Sequence, residues 1–286
     1  MLLLTAAVLS IYLFCGYAAS RLKITPRHRS NRKKGVGSKA QVNRDIYDED
    51  YYLHGYSGDL KSYFDNIEKL PAPLSRCFDY AAPSPGEKVL DLGCGRGQLS
   101  YCCVLKGCIV TAIDYSEDAV SLALKAREML PENLRANMLV KRADFKMFDT
   151  DEKYDVIFMA DLLEHLYDWE LQILFAKARQ LLKPDTGRLI IHTAPNRIWI
   201  NVIFPLKRIL DWPNTIRKGK NFYYKRDKYS YDTAMHVNEQ TPSSVKVHLR
   251  NFKAKVWCDD GSSNIVSILT SRFVGADIWA IAKCGK

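Results

Sequence analysis

From Glu87 to the end of the chain, short apolar runs alternate with segments of helical periodicity, and this alternation constrains the fold more than any other feature. Such a rhythm is typical of a mostly parallel sheet whose crossover connections are helices. We therefore predict an α/β fold with seven strands and flanking helices. The predicted strands are 87–92, 108–113, 137–143, 154–160, 188–194, 252–258 and 276–283, and predicted helices include 116–129, 168–183 and 242–250.

Two segments flank or interrupt this core. Residues 45–80 are helical in pattern and rich in aromatic residues, so they are expected to form a cap before the first strand. Residues 197–235 are too long for an ordinary connection after the fifth strand, and long loops usually carry function or their own structure. We predict one domain over 45–286, with 197–235 as a substrate-selecting insertion.

The net charge of +10 is concentrated in two places. Residues 21–44 carry +9 and residues 197–228 carry +7, which leaves the remainder of the 286 residues mildly acidic. In the insertion, basic residues alternate with apolar and aromatic ones. This pattern suits an anionic membrane surface, and it would equally suit single-stranded RNA or an acidic small substrate.

The eight cysteines give no sign of a thiolate metal site, because no two of them have the two-residue gap of zinc or redox pairs. No metal is predicted. Several cysteines lie in apolar segments, where a free thiol behaves as a small hydrophobe, so a reducing compartment is the simplest interpretation.

The first twenty residues form a hydrophobic segment. Leu2 to Ala19 carry no charge and would span about 27 Å as a helix, close to the thickness of a bilayer core. The basic linker 21–44 follows at once, which predicts a membrane anchor with the catalytic domain facing the cytoplasm. Three other interpretations stay open: a mitochondrial targeting segment, a signal peptide without its basic start, and an extension from an upstream start codon on a soluble cytoplasmic protein.

The stretch "VLDLGCGRGQLS", residues 89–100, predicts a ligand-binding turn. Gly93, Gly95 and Gly97 follow a strand, and Gln98 begins a helix. Glycine permits positive φ and close approach of a ligand, while the start of a helix offers free N–H donors. A dinucleotide fingerprint would need glycine where Gln98 stands, which weakens that alternative.

Polar residues also end the following strands. Asp114 ends the second strand, where its carboxylate could accept hydrogen bonds from a ribose diol. Asp144 and Phe145 end the third strand, and "FMADLLEHL" ends the fourth. Open α/β sheets bind ligands at this edge, so the array predicts nucleotide binding.

The successive motifs "VLDLGCGRG", "AIDYS", "RADF", "YDVIFMADLLEHL" and "LLKPDTGRLIIHTAPN" resemble those of class I S-adenosylmethionine-dependent methyltransferases, especially the ubiquinone-type O-methyltransferases. The resemblance covers about residues 45–285 and implies a Rossmann-like fold and S-adenosylmethionine as the cofactor. The family usually has Gly-Gly where Asp185 and Thr186 stand, and both are acceptable turn formers. By the resemblance, the cofactor-binding residues would be Asp91, Gly93, Gly95, Gly97, Asp114, Tyr115, Asp144, Phe145 and Ala160.

Methyl transfer from a sulfonium mainly requires positioning and exclusion of water, but an oxygen nucleophile gains from a base. His165 and His236 are the two candidate bases by position, each weighed against a structural or surface role. Glu164 is expected to be structural. Four tyrosines before the core could close over the cofactor, as the family's cap does, or simply pack on the core: Tyr47, Tyr51, Tyr52 and Tyr56.

The sequence thus predicts a methyltransferase that acts, most favourably at oxygen, on a small acceptor that is hydrophobic, lipid-like or presented by a membrane. The alternatives are an RNA or protein methyltransferase, and a catalytically silent relative that binds the cofactor and serves in assembly. A nucleic-acid acceptor is disfavoured, because "ADLLEH" stands where adenine amino-methylating enzymes have a Pro-aromatic loop.

Overall fold

The computed structural model describes residues 41–43, 46–48, 51–52, 60–223, 235–259 and 275–285. Its centre is a seven-stranded sheet in the order β3-β2-β1-β4-β5-β7-β6. The seven predicted strands are confirmed, with ends that differ by at most two residues. They are β1 Lys88–Leu92, β2 Ile109–Asp114, β3 Met138–Arg142, β4 Val156–Ala160, β5 Arg188–Thr193, β6 Phe252–Asp259 and β7 Asp277–Cys284.

Strands β1 to β5 run parallel, and β7 pairs antiparallel with both β5 and β6. The chain starts at the centre, builds outward through β2 and β3, and then returns to add β4 beside β1. The carboxyl ends of β1, β2 and β4 therefore lie next to one another at the point where the strand order reverses. In such sheets this is where ligands bind.

Helices cover both faces of the sheet. Those that the structure describes are α1 Leu60–Asp65, α2 Ala72–Ala81, α3 Gln98–Leu105, α4 Glu117–Glu128, α5 Glu132–Arg135, α6 Asp168–Leu181, α7 Phe204–Leu210, α8 Trp212–Arg217 and α9 Pro242–His248. The three predicted helices correspond to α4, α6 and α9. Helix α4 is capped by Ser116, whose hydroxyl oxygen accepts a hydrogen bond from the Ala119 N–H at 3.2 Å.

The core consists of one apolar layer on each face of the sheet. Leu90, Ile157 and Ile191 point to the layer under α6 and α9, whereas Val89 and Phe158 point to the layer under α2 and α3. Alternate residues of a strand point to opposite faces, so a parallel strand buried on both sides needs a continuous apolar run. This requirement explains the consecutive apolar residues at 89–90 of β1, 156–160 of β4 and 189–191 of β5.

The described part of the region before β1 packs on the glycine turn, as expected for the predicted cap. The Gln98 amide donates hydrogen bonds to the carbonyls of Ile67 at 3.0 Å and Lys69 at 3.1 Å. Tyr63 donates its hydroxyl proton to the Arg96 carbonyl at 2.8 Å, and the Arg96 guanidinium lies 4.2 Å from the Tyr63 ring centre. These hydrogen bonds join residues 63–69 of the cap to the turn that follows β1.

The predicted insertion is helical in its described part. A π-helix at Trp199–Ile203 leads into α7 and α8, which begin with Pro205 and Pro213 in their first turns. Residues 224–234 lie outside the described residues.

The predicted anchor at 1–20 and nearly all of the basic linker 21–44 also lie outside the described residues, as does Tyr56. Among the helices that the structure does describe, none is long and apolar enough to cross a membrane.

Candidate active site

The turn after β1 is held in shape by the end of β2. The N–H groups of Gly93 and Cys94 both donate to the Ile113 carbonyl, at 2.9 and 3.1 Å. Gly93, Gly95 and Gly97 all have positive φ, between 51° and 78°. Glycine adopts this backbone conformation without the steric cost that a side chain adds, so the turn can expose its backbone to a ligand.

Gly97 has a packing role in addition to the predicted one. It lies outside the cavity lining, and a Cβ added to it would come within 2.9 Å of the Ala123 Cβ. The absence of a side chain at Gly97 therefore allows α3 to pack closely on α4. The cofactor-binding assignment of Gly97 stays a prediction.

Two carboxylates frame the turn. Asp114 accepts hydrogen bonds from the Gly95 N–H at 3.0 Å and the Ser116 N–H at 2.9 Å, and it lines the cavity. Asp91 accepts a hydrogen bond from the Ser100 hydroxyl at 2.7 Å. Burial raises the pKa of both groups, and that of Asp91 reaches about 6. A buried carboxylate whose hydrogen bonds do not offset its desolvation is suited to receive a cationic ligand.

The loop after β3 adds a third group of residues. Asp144 and Phe145 line the cavity, as predicted, and Lys146 joins them. The Lys146 ammonium lies 3.1 Å from the Asp144 carboxylate, 2.7 Å from that of Glu170 and 5.0 Å from the Phe145 ring centre. Sequence reasoning missed Lys146 and Glu170, because their pairing depends on how α6 crosses the loop.

An aromatic wall covers the cavity. Tyr47 lies edge-to-face against Tyr115, with ring centres 5.3 Å apart, and against His165 at 5.7 Å. Tyr51 and Tyr52 pack on each other at 4.9 Å, and all four tyrosines line the cavity. Burial raises the pKa of Tyr47 and Tyr52, so both hydroxyls stay neutral. Tyr47, Tyr51 and Tyr52 thus both pack in an apolar cluster and line the cavity, and their closure over the cofactor stays a prediction.

His165 ends a 3₁₀ turn at Leu163–His165 and lines the cavity. Burial, reinforced by His236, lowers its pKa to about 3, so the imidazole is neutral at physiological pH. Its Nδ1 is buried and has no hydrogen-bond partner among the described residues. A neutral ring with a free nitrogen at a cavity wall can hydrogen-bond to a ligand and exchange a proton with it.

His236 does not line the cavity and lies behind His165, with the ring centres 5.0 Å apart. Glu164 is also behind the wall, where it accepts the Thr193 hydroxyl proton at 2.7 Å. Burial and the nearby Asp161 raise the pKa of Glu164 to about 8. The expected structural role of Glu164 fits these contacts. One ligand atom from each of Glu164, His165 and His236 lies within 4.8 Å of the others, which is close enough to hold a cation.

Asp161 is the third residue that sequence reasoning missed. It follows β4 with a positive φ of 51°, and it lines the cavity beside Ala160, as predicted for Ala160. Its carboxylate lies 2.7 Å from Nδ1 of His192, which packs on Trp279 with ring centres 4.2 Å apart. Burial opposes the charged imidazole, but Asp161 outweighs it and raises the pKa of His192. His192 is thus a hydrogen-bonding partner for the Asp161 carboxylate behind the wall.

Together these residues enclose a cavity of about 150 Å³ at the carboxyl edge of the sheet. It runs from the loop after β3, past the glycine turn, to His165. The predicted residues that line it are Asp91, Gly93, Gly95, Asp114, Tyr115, Asp144, Phe145, Ala160 and His165.

A family model described as a methyltransferase domain matches residues 62–257. This chain belongs to the methyltransferase-domain family. The predicted membership of the class I S-adenosylmethionine-dependent methyltransferases is thereby confirmed, and with it the prediction of an enzyme.

Two curated relatives illustrate the range of acceptor atoms. The ubiquinone biosynthesis O-methyltransferase of Pasteurella multocida is 33% identical over 167 residues, which is 54% of this chain and 65% of the relative. The (S)-coclaurine N-methyltransferase of Papaver somniferum is 31% identical over 227 residues, 74% of this chain and 59% of the relative. The methyltransferase chain thus spans less than two thirds of the length of these relatives.

Solved structures confirm the Rossmann-like methyltransferase fold. The DhpI–SAH complex superposes with a TM-score of 0.52 and 16% identity, covering 85% of this chain and 96% of that structure. Magnesium protoporphyrin IX methyltransferase of Synechocystis PCC 6803 with bound SAH gives a TM-score of 0.50 and 18% identity, covering 84% and 99%.

The cavity of this methyltransferase fits the family's cofactor, S-adenosylmethionine. Asp91 presents a buried acid for an ammonium group, Asp114 keeps lone pairs for a ribose diol, and Phe145 offers an apolar ring surface for adenine. A Cβ at Gly95 would project to within 3.6 Å of Tyr52, into the space between turn and aromatic wall. The bare backbone there leaves room for the chain that joins amino acid and nucleoside.

Proposed function

We propose that this chain transfers the methyl group of S-adenosylmethionine to an oxygen atom of a small, hydrophobic acceptor. When bound, the cofactor supplies a methyl group that is already activated for displacement. The observation that carries the oxygen assignment is the neutral imidazole of His165 at the cavity wall.

His165 can accept a hydrogen bond from an acceptor hydroxyl and orient its oxygen. It can then take the proton as the oxygen gains a methyl group. The imidazolium that this creates would be stabilised by Asp161, whose charge raises the pKa of His165 against the effect of burial. Burial keeps the ring unprotonated at neutral pH but also weakens it as a base, so the proton transfer relies on Asp161 beside it.

The wall around His165 supports an apolar acceptor. Leu162 and Leu166 flank it on the loop after β4, and the rings of Tyr47 and Tyr51 close the opposite side. Such a wall excludes water from the reacting atoms and gains free energy from apolar surface, at about 25 cal/mol per Å² buried.

The test is methyl transfer to apolar phenols by the wild type and by His165→Asn. We expect kcat to fall about 100-fold, while the Kd for S-adenosylhomocysteine stays within about threefold. His248→Asn is the matched control, because His248 is half-buried, stacks on Phe175 and lies outside the cavity. If kcat for phenols is unchanged in His165→Asn, the general-base role is wrong.

A nitrogen acceptor is the second candidate, and Asp161 is the observation that favours it. A carboxylate at the cavity wall can accept a hydrogen bond from the N–H of an amine and so orient its nitrogen lone pair. Asp161→Asn separates the two candidates. It should raise KM for apolar amines about tenfold or more if nitrogen is the acceptor, whereas it should lower kcat for phenols with little change in KM if oxygen is, because Asp161 then stabilises the His165 imidazolium.

A further inference from the structure

The two helices of the insertion form an exposed arm on the protein. We define the arm as residues 204–220, comprising α7, α8 and the three residues that follow. Helices α7 and α8 contact each other, and α7 contacts the π-helix before it, where the Trp199 and Phe204 ring centres lie 5.3 Å apart. Thr215 is buried and donates its hydroxyl proton to the Arg208 carbonyl at 3.1 Å, which fixes the angle between the helices.

The arm exposes large apolar side chains that the contacts between its helices do not cover. The exposed fractions are 56% for Ile209, 47% for Leu210, 58% for Trp212 and 61% for Ile216. Single exposed apolar residues are common, but four within eight consecutive positions form a patch. Such a patch loses free energy in water and indicates a binding surface.

The same arm is strongly basic. Lys207, Arg217, Lys218 and Lys220 are exposed, and Arg208 is half-buried with its guanidinium 4.9 Å from the Phe204 ring centre. Asp211 is the only acidic residue of the arm, so its net charge is +4.

We infer that the arm docks on an anionic lipid surface. Aliphatic side chains and tryptophan gain free energy in the headgroup region, while lysine and arginine pair with lipid phosphates. A second copy of the arm would bring two positive surfaces together. Single-stranded RNA would pair with the charges, but it would leave Ile209, Leu210 and Ile216 without stacking partners.

The arm starts from the same edge of the sheet as the cavity. Strand β5 ends at Thr193, which contacts Glu164 behind the site. Asn196 lies just before the insertion, and its N–H donates a hydrogen bond to the Ala276 carbonyl at 2.6 Å. Docking through the arm would therefore hold that edge near the lipid. The inference does not depend on the proposed acceptor atom.

The test measures hydrogen–deuterium exchange of the full chain with vesicles of phosphatidylcholine containing about 30% phosphatidylglycerol. Peptides over 204–220 should gain protection with these vesicles, and less in high salt or with pure phosphatidylcholine. Because exchange is measured peptide by peptide, protection of 204–220 is scored separately from any membrane contact by residues 1–44.

Two variants separate the contributions to docking. Lys218→Glu/Lys220→Glu should lower the apparent affinity measured by this protection about tenfold or more, and Trp212→Ser/Ile216→Ser should reduce the protection at saturating lipid. Lys253→Glu/Lys255→Glu, with the same charge change on exposed residues of β6, should leave the protection unchanged.

Equal protection by neutral and anionic vesicles, protection by an RNA oligonucleotide alone, or no protection at all would each overturn the inference. Binding of S-adenosylhomocysteine, followed in the same samples, should be unaffected by the arm variants. Failure of docking is thereby distinguished from failure of the active-site proposal.

Discussion

Asp114→Ala is expected to weaken binding of S-adenosylmethionine about 30- to 1000-fold. We assign to the Asp114 carboxylate two hydrogen bonds from the cofactor's ribose hydroxyl groups. The same carboxylate also accepts hydrogen bonds from the N–H groups of Gly95 and Ser116. Loss of two charge-assisted bonds should cost about 2–4 kcal/mol, and each 1.4 kcal/mol corresponds to a factor of ten in Kd.

Isothermal calorimetry with S-adenosylhomocysteine measures this loss directly. The 2′,3′-dideoxy analogue is a sharper probe, because it lacks the groups that Asp114 is proposed to bind. The wild type should discriminate strongly against the analogue, whereas Asp114→Ala should bind both ligands equally. Asp118→Ala, an exposed carboxylate four residues along the chain, is the matched control and should behave as wild type.

Because the substitution also removes two backbone contacts, the folded fraction of each variant must be measured by thermal unfolding. A folded Asp114→Ala that binds within about threefold of wild type, or that still discriminates against the dideoxy analogue, would refute the ribose assignment.

Three further results are expected. The pKa of Asp91 is about 6, so cofactor affinity should rise with pH through 6 as the carboxylate ionises. For Asp91→Asn, calorimetry should find weaker cofactor binding whose affinity does not change between pH 5 and 7. Gly97→Ala should lower the free energy of unfolding by about 2–4 kcal/mol in denaturant titrations, through positive φ and the contact with Ala123, whereas Gly95→Ala should mainly weaken cofactor binding. The pKa of His165 is about 3 in the folded protein, below its value of about 6.5 in the unfolded chain. The stability contributed by the neutral ring is therefore present above pH 6.5 and declines on acidification. Between pH 7 and pH 5 the free energy of unfolding of the wild type should fall by about 2 kcal/mol more than that of His165→Asn.

The sheet and the cofactor end of the site could be predicted because their signals are local in the sequence. The glycine turn follows β1 directly, and Asp114 lies at the last position of β2. Parallel strands bring such ends to one edge whatever the details of packing. Apolar runs and turn residues were therefore sufficient to place them together.

The features that sequence reasoning missed depend on contacts between distant elements. Lys146 pairs with Glu170 of α6, and His192 lies behind Asp161. Neither pair has a periodic signal, because each is fixed by how a helix or neighbouring strand is seated on the sheet. The packing role of Gly97 was missed for the same reason, since its contact with Ala123 appears only when α3 and α4 are packed.

We infer that the cavity at the carboxyl edge binds S-adenosylmethionine with its ribose on Asp114 and its adenine beside Phe145. A crystal structure of the full chain with S-adenosylhomocysteine is the most direct test of this binding mode. We expect both ribose hydroxyl groups within about 3 Å of the Asp114 carboxylate and the ligand's amino group at the glycine turn near Asp91. Ligand bound elsewhere, or a ribose without contact to Asp114, would contradict it.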